Sequence, residues 1–272
     1  MKKILVTGGT GFIGSNIVKY LVKKKENVLV FDNNSRGSVE NLSDISDSFK
    51  YLNGDIRDRE KLIEFSKNVD TIIHLAYVNG TKSFYSIPYE ILEIAIKGIS
   101  NVIDAMNIND IPNLILASSS EVYQEPKIIP TDEKIPLIIP DVFNPRLSYG
   151  GGKIISELLS INFARTKERN LKVFRPHNVY GPNMGNEHVI PEFINKILFQ
   201  IDNKEINLEI QGNGKETRSF IYIDDFISGF DSIYKKGSNL NIYNIGTDDE
   251  ISINNLINLI EKIIEKKNKY NK

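Results

Sequence analysis

Short apolar runs alternate with stretches of helical periodicity over the first two thirds of the chain. The runs predict buried strands over residues 4–7, 28–31, 51–52, 71–75, 113–117 and 172–175. Apolar residues spaced along one helix face predict helices over residues 12–25, 91–106 and 148–167. Buried strands that alternate with helices are typical of an α/β fold, here a doubly wound parallel sheet with right-handed crossovers.

The alternation loosens from about residue 181, where loops, short strands and helices follow one another. This change predicts two parts, a sheet domain over residues 1–180 and a smaller lobe over residues 181–272 that is interleaved with it. At 272 residues the chain is long enough to bury a substantial core.

Composition excludes several classes of function. Hydrophobic residues make up 40% and charged residues 25% of the chain, as in ordinary globular proteins. A net charge of -1 gives no basic field for nucleic acid or for an anionic membrane surface. No apolar run approaches the roughly 18 residues that span a bilayer, and the N-terminal segment lacks the apolar region of a signal peptide. We therefore expect a cytoplasmic protein.

Metal and thiol chemistry are not expected. The chain contains no cysteine, which excludes disulfides and thiolate catalysis. Its three histidines, His74, His177 and His188, are widely spaced, and no acidic cluster has the spacing of metal ligands. We expect His74, at the end of an apolar run, to be a loop residue on the cofactor side of the sheet.

A glycine-rich turn follows the first predicted strand. Residues 7–14 have the sequence TGGTGFIG and fit the pattern G-x-G-x-x-G between a strand and a helix. Glycines permit a tight turn and a close approach to a pyrophosphate, and the helix N-terminus faces the phosphates with free N–H groups. The turn therefore predicts a dinucleotide site at Gly8, Gly11, Phe12, Ile13 and Gly14; the alternative is a turn without a ligand.

Two residues at the end of the second strand extend this site. Asp32 can accept hydrogen bonds from the hydroxyls of the adenosine ribose, and Asn33 follows it. The carboxylate would repel a 2′-phosphate, so the pattern favours NAD over NADP. The alternative is that Asp32 caps the strand end.

A serine, a tyrosine and a lysine form the candidate catalytic set. Three consecutive serines, with Ser119 in the middle, follow the fifth strand at the edge where a doubly wound sheet binds its ligands. Tyr149 and Lys153 are four residues apart on one helix face. We expect the lysine to lower the pKa of the phenol, which could then remove a proton from a sugar hydroxyl. The alternative is a surface pair on a helix.

Together these features resemble one family. They are residues 7–14, Asp32, Asp55-Ile56, the His-Leu-Ala run at 74–76, residues 118–123, the Tyr149/Lys153 pair and residues 175–182. From residue 1 to about 260 the chain resembles the extended short-chain dehydrogenase/reductases, in the branch of NAD-dependent nucleotide-sugar epimerases and dehydratases. The resemblance implies a Rossmann domain that retains NAD through the catalytic cycle and a C-terminal lobe that binds a nucleoside diphosphate sugar. It also implies a homodimer that pairs through residues 91–106 and the helix of Tyr149.

The resemblance implies catalytic, cofactor-binding and substrate-binding roles for individual residues. Ser119 corresponds to the catalytic serine or threonine, Tyr149 to the base and Lys153 to its partner, and the last two also contact the cofactor. Further cofactor residues are Asp55, Ile56, Leu75 and Ala76. Ser120, Asn178 and Arg218 correspond to substrate-binding residues. A guanidinium offers paired donors to phosphate or carboxylate, although Arg218 could instead form a surface salt bridge.

Glu121 bears on which reaction is catalysed. Plain 4-epimerases of this group need only the serine, tyrosine and lysine, whereas dehydratases and decarboxylases have an acid at this position. A carboxylate there could remove a proton next to a transient 4-ketone, although Glu121 could also be a loop cap. Ser120 replaces the acid of a 4,6-dehydratase, and Pro145-Arg146 is similar to UDP-glucuronate decarboxylases.

A 4-epimerase is thus the first hypothesis, and a 4,6-dehydratase or UDP-glucuronate decarboxylase is the alternative. Two further alternatives are a reductase that consumes free cofactor and a catalytically inactive NAD-binding sensor. The nucleotide and the sugar stay open.

The chain departs from the family pattern at several positions. Gln124 replaces a usual glycine, and Ala95 replaces an asparagine that lies near the cofactor in many members. Residues 150–152 are three glycines inside a helix, each of which costs about 1 kcal/mol relative to alanine. Such a run indicates either a close approach of another group or a locally loose helix. Family members usually continue beyond the position of Lys272, so part of the substrate pocket is expected to be absent or supplied differently.

Overall fold

The computed structural model describes residues 1–186, 188–203, 210 and 212–270. The strands are β1 Lys3–Thr7, β2 Asn27–Asp32, β3 Phe49–Asn53, β4 Thr71–His74, β5 Asn113–Ala117, β6 Asn170–Pro176, β7 Asn178–Tyr180, β8 Thr217–Tyr222, β9 Asn241–Ile245 and β10 Glu250–Ser252. The helices are α1 Phe12–Lys23, α2 Arg59–Phe65, α3 Thr81–Ser86, α4 Pro88–Ile108, α5 Leu147–Thr166, α6 Val189–Asn203, α7 Ile223–Lys236 and α8 Ile253–Tyr270. Two 3₁₀ turns, Val39–Ser48 and Ser120–Tyr123, lie between them.

Seven parallel strands form the central sheet, in the order β3-β2-β1-β4-β5-β6-β9. The six strands predicted from apolar runs occupy the first six places in the order that is typical of dinucleotide-binding folds. The doubly wound α/β fold is therefore confirmed. The seventh strand, β9, was not predicted.

Both faces of this sheet are covered. Along β1, Ile4 and Val6 point to one face and pack with residues of α1 and α7, whereas Leu5 points to the other face and packs with residues of α4. All three side chains are fully buried. Burial on both faces explains why the inner strands β1, β2, β4 and β5 are continuous apolar runs rather than alternating patterns.

A second, three-stranded sheet lies outside the central one, in the order β10-β8-β7. Beside it, Phe193 and Ile197 of α6 pack against Leu256 and Ile260 of α8 in a separate apolar cluster. Between these elements the chain returns to the large sheet, because α7 packs on it and β9 extends it. The division after residue 180 stays a prediction, and α7 with β9 is the segment that interleaves the two parts.

Several element boundaries differ from the prediction for local reasons. Helix α1 ends at Lys23 rather than at residue 25, since Lys25 has a φ of 62° that no right-handed helix contains. Helix α4 begins at Pro88, where the missing N–H of proline costs nothing in the first turn. Helices α2 and α3 were not predicted because they are only 7 and 6 residues long, too short for a clear period. None of the described helices is long and apolar enough to cross a membrane.

Candidate active site

The glycine-rich turn joins β1 to the N-terminus of α1. Gly8 has a φ of 72°, and a side chain there would overlap the backbone of Ala76; a side chain at Gly14 would overlap the Gly8 carbonyl. Gly11 caps α1 without a side-chain hydrogen bond, and the first helical turn contains no acidic residue. The turn thus leads into the first backbone N–H groups of α1 and its positive helix end, which fit a pyrophosphate.

Asp32 supports this turn from the end of β2. Its Oδ2 accepts a hydrogen bond from the Thr10 backbone N–H at 3.0 Å, and its Oδ1 accepts one from the Asn34 backbone N–H at 2.8 Å. The carboxylate therefore caps the strand end, which was the alternative considered for it. Each oxygen has further lone pairs, so the geometry is compatible with the predicted ribose contact as well.

Asn33 and Asp55 meet next to Asp32. Asn33 donates from Nδ2 to Asp55 Oδ2 at 3.1 Å, and Arg57 donates to both Asp55 oxygens, from Nε at 2.9 Å and from Nη2 at 2.8 Å. These hydrogen bonds from Arg57 lower the pKa of Asp55 to about 2. Ile56 is buried beside them, and its carbonyl accepts a hydrogen bond from Asn101 at 2.9 Å. Strands β2 and β3 thus bring the predicted adenine-side residues together.

His74 is not the loop residue that we expected. It ends β4, is 4% exposed, and its Nδ1 shares a hydrogen bond of 2.7 Å with Thr7 Oγ1 on β1. Burial, with a contribution from Lys153, lowers the pKa of His74 to about 3, so the imidazole is neutral. Leu75 donates its backbone N–H to the Thr7 carbonyl at 3.0 Å, which holds Leu75 and Ala76 against the glycine turn.

The three serines lie where β5 ends. Ser119 caps the following 3₁₀ turn, and its Oγ accepts the backbone N–H of Glu121 at 3.2 Å. Ser118 is buried, and its Oγ has no hydrogen-bond partner among the described residues. Ser120 is partly buried and begins the turn. The loop therefore places Ser119 and Glu121 at the carboxyl edge of the sheet.

Tyr149 and Lys153 lie on α5 beside this loop and are 6% and 5% exposed. Burial raises the pKa of Tyr149, while the Ser119 side chain acts in the opposite direction. Lys153 Nζ donates to the Ala117 carbonyl at 2.8 Å and lies 5.8 Å from the centre of the Tyr149 ring. The expectation that Lys153 lowers the pKa of Tyr149 is therefore wrong for this geometry, in which desolvation of the phenol dominates.

Glu121 is held by an arginine that comes shortly before Tyr149. Arg146 Nη2 lies 3.1 Å from one carboxylate oxygen of Glu121 and 3.0 Å from the other. The guanidinium also lies over the Phe84 ring, 5.0 Å from its centre. Arg146 Nη1 is buried and has no hydrogen-bond partner among the described residues. A guanidinium with an unused donor thus lies close enough to Tyr149 to affect its electrostatics.

The glycine run in α5 is a set of close contacts rather than a loose helix. A side chain at Gly150 would lie 2.6 Å from Gln124 Nε2, and one at Gly151 would lie 3.3 Å from Ile139 Cδ1. A side chain at Gly152 would overlap the Tyr77 hydroxyl. Each glycine therefore accommodates a large side chain from a different loop. Gln124 itself has a φ of 55°, a conformation that the usual glycine adopts more readily.

A buried network behind α5 was missed by the sequence reasoning. Arg175 on β6 pairs with both carboxylate oxygens of Glu157, at 2.8 and 2.6 Å, and the two side chains are 2% and 3% exposed. Arg175 also donates to the Tyr123 hydroxyl at 2.7 Å, which in turn donates to Asn244 at 2.8 Å. The network ties α5, the serine loop, β6 and β9 together. The only sequence signal was a glutamate on the buried side of a helix.

Asn178 and Arg218 lie on the small sheet. Asn178 on β7 donates from Nδ2 to the Ser219 carbonyl at 3.0 Å. Arg218 on β8 is exposed and donates to the Thr217 carbonyl at 2.7 Å. The pairing of β7 with β8 makes them neighbours, while their substrate roles stay predictions. No group of three or more potential ligands that could hold a metal occurs among the described side chains.

Comparison with known proteins decides the family. Residues 4–246 match the model of the NAD dependent epimerase/dehydratase family. The chain belongs to this family. The match covers the glycine turn, the serine loop, Tyr149 and Lys153, and it ends just after β9. The resemblance drawn from the sequence is confirmed, as is membership of a family of NAD-dependent enzymes.

Relatives with different activities are similar to this family member. The chain is 34% identical to a dTDP-D-glucose 4,6-dehydratase of Dictyostelium discoideum over 93% of its own length and 60% of the relative. It is 33% identical to a putative UDP-glucose 4-epimerase of Methanocaldococcus jannaschii over 95% and 81% of the two chains. The chain thus spans less than two thirds of the Dictyostelium relative.

A solved relative supports the fold and the cofactor. The structure of dTDP-glucose 4,6-dehydratase from Streptomyces venezuelae with NAD bound superposes with a TM-score of 0.88 at 25% identity. The superposition covers 97% of this chain and 81% of the relative. The predicted cofactor, NAD, is therefore confirmed for the family to which this chain belongs.

Proposed function

We propose that the chain is an NAD-dependent nucleotide-sugar 4-epimerase that acts through a transient 4-ketone. The observation that carries the proposal is the convergence of Ser119, Tyr149 and Lys153 at the carboxyl edge of the sheet. The glycine turn on β1 lies at the same edge, because β1, β4 and β5 are parallel neighbours. Cofactor and acid–base residues are thus adjacent.

The residues have distinct roles in this proposal. NAD, when bound, supplies the two-electron acceptor for oxidation at C4 of the sugar. Tyr149 removes the proton of the C4 hydroxyl and later returns it, and Ser119 donates a hydrogen bond to the same oxygen. Burial raises the pKa of Tyr149, so its ionised form needs nearby positive charge, and Lys153 and Arg146 are the cations beside it. Reduction of the ketone on its opposite face gives the epimer without net oxidation.

The residues around Glu121 support epimerisation over elimination of water. A 4,6-dehydratase needs an acid for the leaving hydroxyl, and the corresponding position is Ser120, whose hydroxyl is a poor acid. Arg146 also engages both oxygens of the Glu121 carboxylate. A carboxylate in that contact is a positioned ion-pair partner and is less available to remove a proton from carbon.

Decarboxylation is the second candidate, and Arg146 favours it. The buried Nη1 of Arg146 is a donor without a partner among the described residues. A uronic-acid substrate has a carboxylate that a guanidinium binds well. Such a substrate would lose carbon dioxide once C4 becomes a ketone, because the carboxylate is then β to the carbonyl.

A panel of nucleotide sugars tests these candidates. Purified protein is incubated with UDP- and dTDP-linked glucose, N-acetylglucosamine and glucuronate without added NADH, and the products are identified by NMR and mass spectrometry. The proposal expects a C4 epimer of unchanged mass. Loss of water or of carbon dioxide from the substrate would instead identify a dehydratase or a decarboxylase. In a parallel incubation with a ketone and added NADH, stoichiometric consumption of NADH would identify a reductase.

Glu121→Gln separates the candidates further. An epimerase that relies on Ser119, Tyr149 and Lys153 should lose less than about tenfold in kcat, whereas a base in elimination should cost about 10²–10⁴-fold. NAD binding without turnover across the panel would contradict all of the enzymatic proposals and favour the sensor.

A further inference from the structure

One aromatic side chain in the site has no counterpart in the predicted catalytic set. Tyr77 follows β4 and lies between α4 and α5, where its hydroxyl occupies the position that a Gly152 side chain would fill. A side chain at Gly152 would also lie 2.8 Å from the methyl group of Ala95 on α4. Two departures from the family pattern, at Ala95 and Gly152, thus make room for Tyr77.

The ring of Tyr77 faces the catalytic lysine. Lys153 Nζ lies 4.0 Å from the centre of the Tyr77 ring, closer than the 5.8 Å to the Tyr149 ring. The two rings also meet edge to face, with centres 5.1 Å apart. A cation at 4.0 Å over a phenol ring is well within the range of a cation–π interaction, which is strongest when the cation is desolvated.

The ring of Tyr77 can stabilise the charged form of Lys153, which burial disfavours. Burial lowers the pKa of Lys153 to about 7, and Glu157 one turn further along α5 opposes that effect. Glu157 is already paired with Arg175 of β6, and His74 of β4 is neutral. Burial raises the pKa of Tyr77 well above its ordinary value, so this phenol stays neutral and offers the negative face of its ring.

We propose that Tyr77 is a positioning residue that holds the Lys153 ammonium, through the face of its ring, between the Ala117 carbonyl and Tyr149. Tyr77 is not the base, since its hydroxyl is directed between the helices and lies 3.4 Å from the Tyr149 carbonyl oxygen. The proposal rests on the proposed function only in taking Lys153 as the partner of Tyr149. Ala95 and Gly152 are the two small residues that this arrangement requires.

The test is a titration of Lys153 itself, which needs no turnover. Protein labelled with ¹³C at the lysine ε-carbons is titrated by NMR, and the Lys153 signal is assigned by its absence in Lys153→Arg. Tyr77→Leu keeps an apolar side chain but removes the ring face, so the ammonium form should be disfavoured. We expect its titration midpoint to fall by about one pH unit. Tyr77→Phe keeps the ring face and should titrate as the wild type does.

Controls separate positioning from packing. Tyr85→Leu, at an exposed tyrosine on α3, should leave the Lys153 midpoint unchanged. If Tyr77 only fills space, Tyr77→Leu should lower the unfolding temperature and leave the midpoint at the wild-type value, which would overturn the proposal. Tyr77→Met provides the same comparison should Tyr77→Leu fail to fold.

The activity profile tests the link to catalysis. If the chain is the proposed epimerase, the pH dependence of kcat in Tyr77→Leu should move in the same direction as the Lys153 midpoint, and that in Tyr77→Phe should not move. A shifted midpoint in a protein without turnover would support the role of Tyr77 and contradict the proposed function. An unshifted midpoint in an active epimerase would contradict the role of Tyr77 and support the proposed function.

Discussion

At the scale of single residues, the site combines charged groups with strong burial. Tyr149 and Lys153 are both nearly inaccessible, and burial shifts each pKa toward the neutral form. Their chemistry therefore depends on the few polar groups that contact them, which are Ser119, the Ala117 carbonyl and the Tyr77 ring.

Replacing the phenol should affect the chemical step more than cofactor binding. We expect Tyr149→Phe to lower kcat by about 10²–10⁴-fold, since it removes the hydroxyl of the proposed base. NAD affinity, measured by calorimetry, should change by less than about tenfold, because we expect the glycine turn to provide the phosphate contacts. Tyr85→Phe, at an exposed position, should leave both values unchanged. Full activity in Tyr149→Phe would remove it as the base.

His74 should make the protein sensitive to acid. Its folded pKa is lowered to about 3 from an ordinary 6.5, so the unfolded chain binds the extra proton first. The stability that neutral His74 contributes is therefore complete above about pH 6.5 and is lost as the pH falls toward 3. In urea unfolding between pH 6 and 4, His74→Leu should reduce the slope of unfolding free energy against pH by up to about 1.4 kcal/mol per unit. Equal slopes would show that His74 is protonated in the folded state.

At the scale of elements, α5 is shaped by what packs against it. Gly151→Ala should raise the unfolding temperature, since alanine favours a helix by about 1 kcal/mol over glycine and meets only the flexible end of Ile139. Gly152→Ala should lower it, because the methyl group would overlap the Tyr77 hydroxyl and crowd Ala95. If the contacts are as described, the unfolding temperature changes in opposite directions in the two variants. An increase in the unfolding temperature of both variants would indicate that helix propensity alone determines the effect of alanine at these positions.

The sequence predicted those strands and helices whose pattern of apolar residues reflects their burial in the fold. Strands β1, β2, β4, β5 and β6 were found because burial on both faces makes them apolar runs. Strand β3 lies at one edge of the sheet and was found only from its apolar pair Tyr51-Leu52. Strand β9 was missed because it lies at the sheet edge and carries Asn241 and Asn244 among its five residues. Helix α2 was missed because seven residues give no clear period.

In the candidate site, too, some residues follow from local sequence patterns and others only from tertiary contacts. The glycine turn, Ser119, Tyr149 and Lys153 were predicted because local spacing defines them. Tyr77 and the pair of Arg175 with Glu157 depend on tertiary contacts between distant segments, which no local pattern reveals. The pKa of Tyr149 was predicted in the wrong direction because burial cannot be judged from spacing.

At the scale of the whole molecule, α4 and α5 pack against each other and both expose large apolar side chains. On α4, Tyr89 is 78% exposed, and on α5, Leu158 is 57% exposed. We propose that these helices form the interface of a homodimer. The proposal rests on the family resemblance, which implies pairing through these two helices, and on these exposed apolar side chains.

Light scattering tests the dimer directly. The wild type should have the mass of two chains, and Leu158→Glu should shift the equilibrium toward monomer, since a charge would be buried at the interface. Ile263→Glu, at an exposed apolar residue of α8, should leave the mass unchanged. A monomeric wild type would contradict the interface.

The chain returns from the lobe to the large sheet at β9, which affects the order in which the sheet can be completed during synthesis. During synthesis the first six strands leave the ribosome well before β9, so β6 stays at the edge of an incomplete sheet while about sixty further residues are made. Over that interval Phe174 lacks Phe226 and Phe230, its later aromatic neighbours. An unpaired strand edge beside an uncovered aromatic side chain is a target for chaperones and for aggregation. The nascent chain therefore exposes this edge from the completion of β6 until β9 is made.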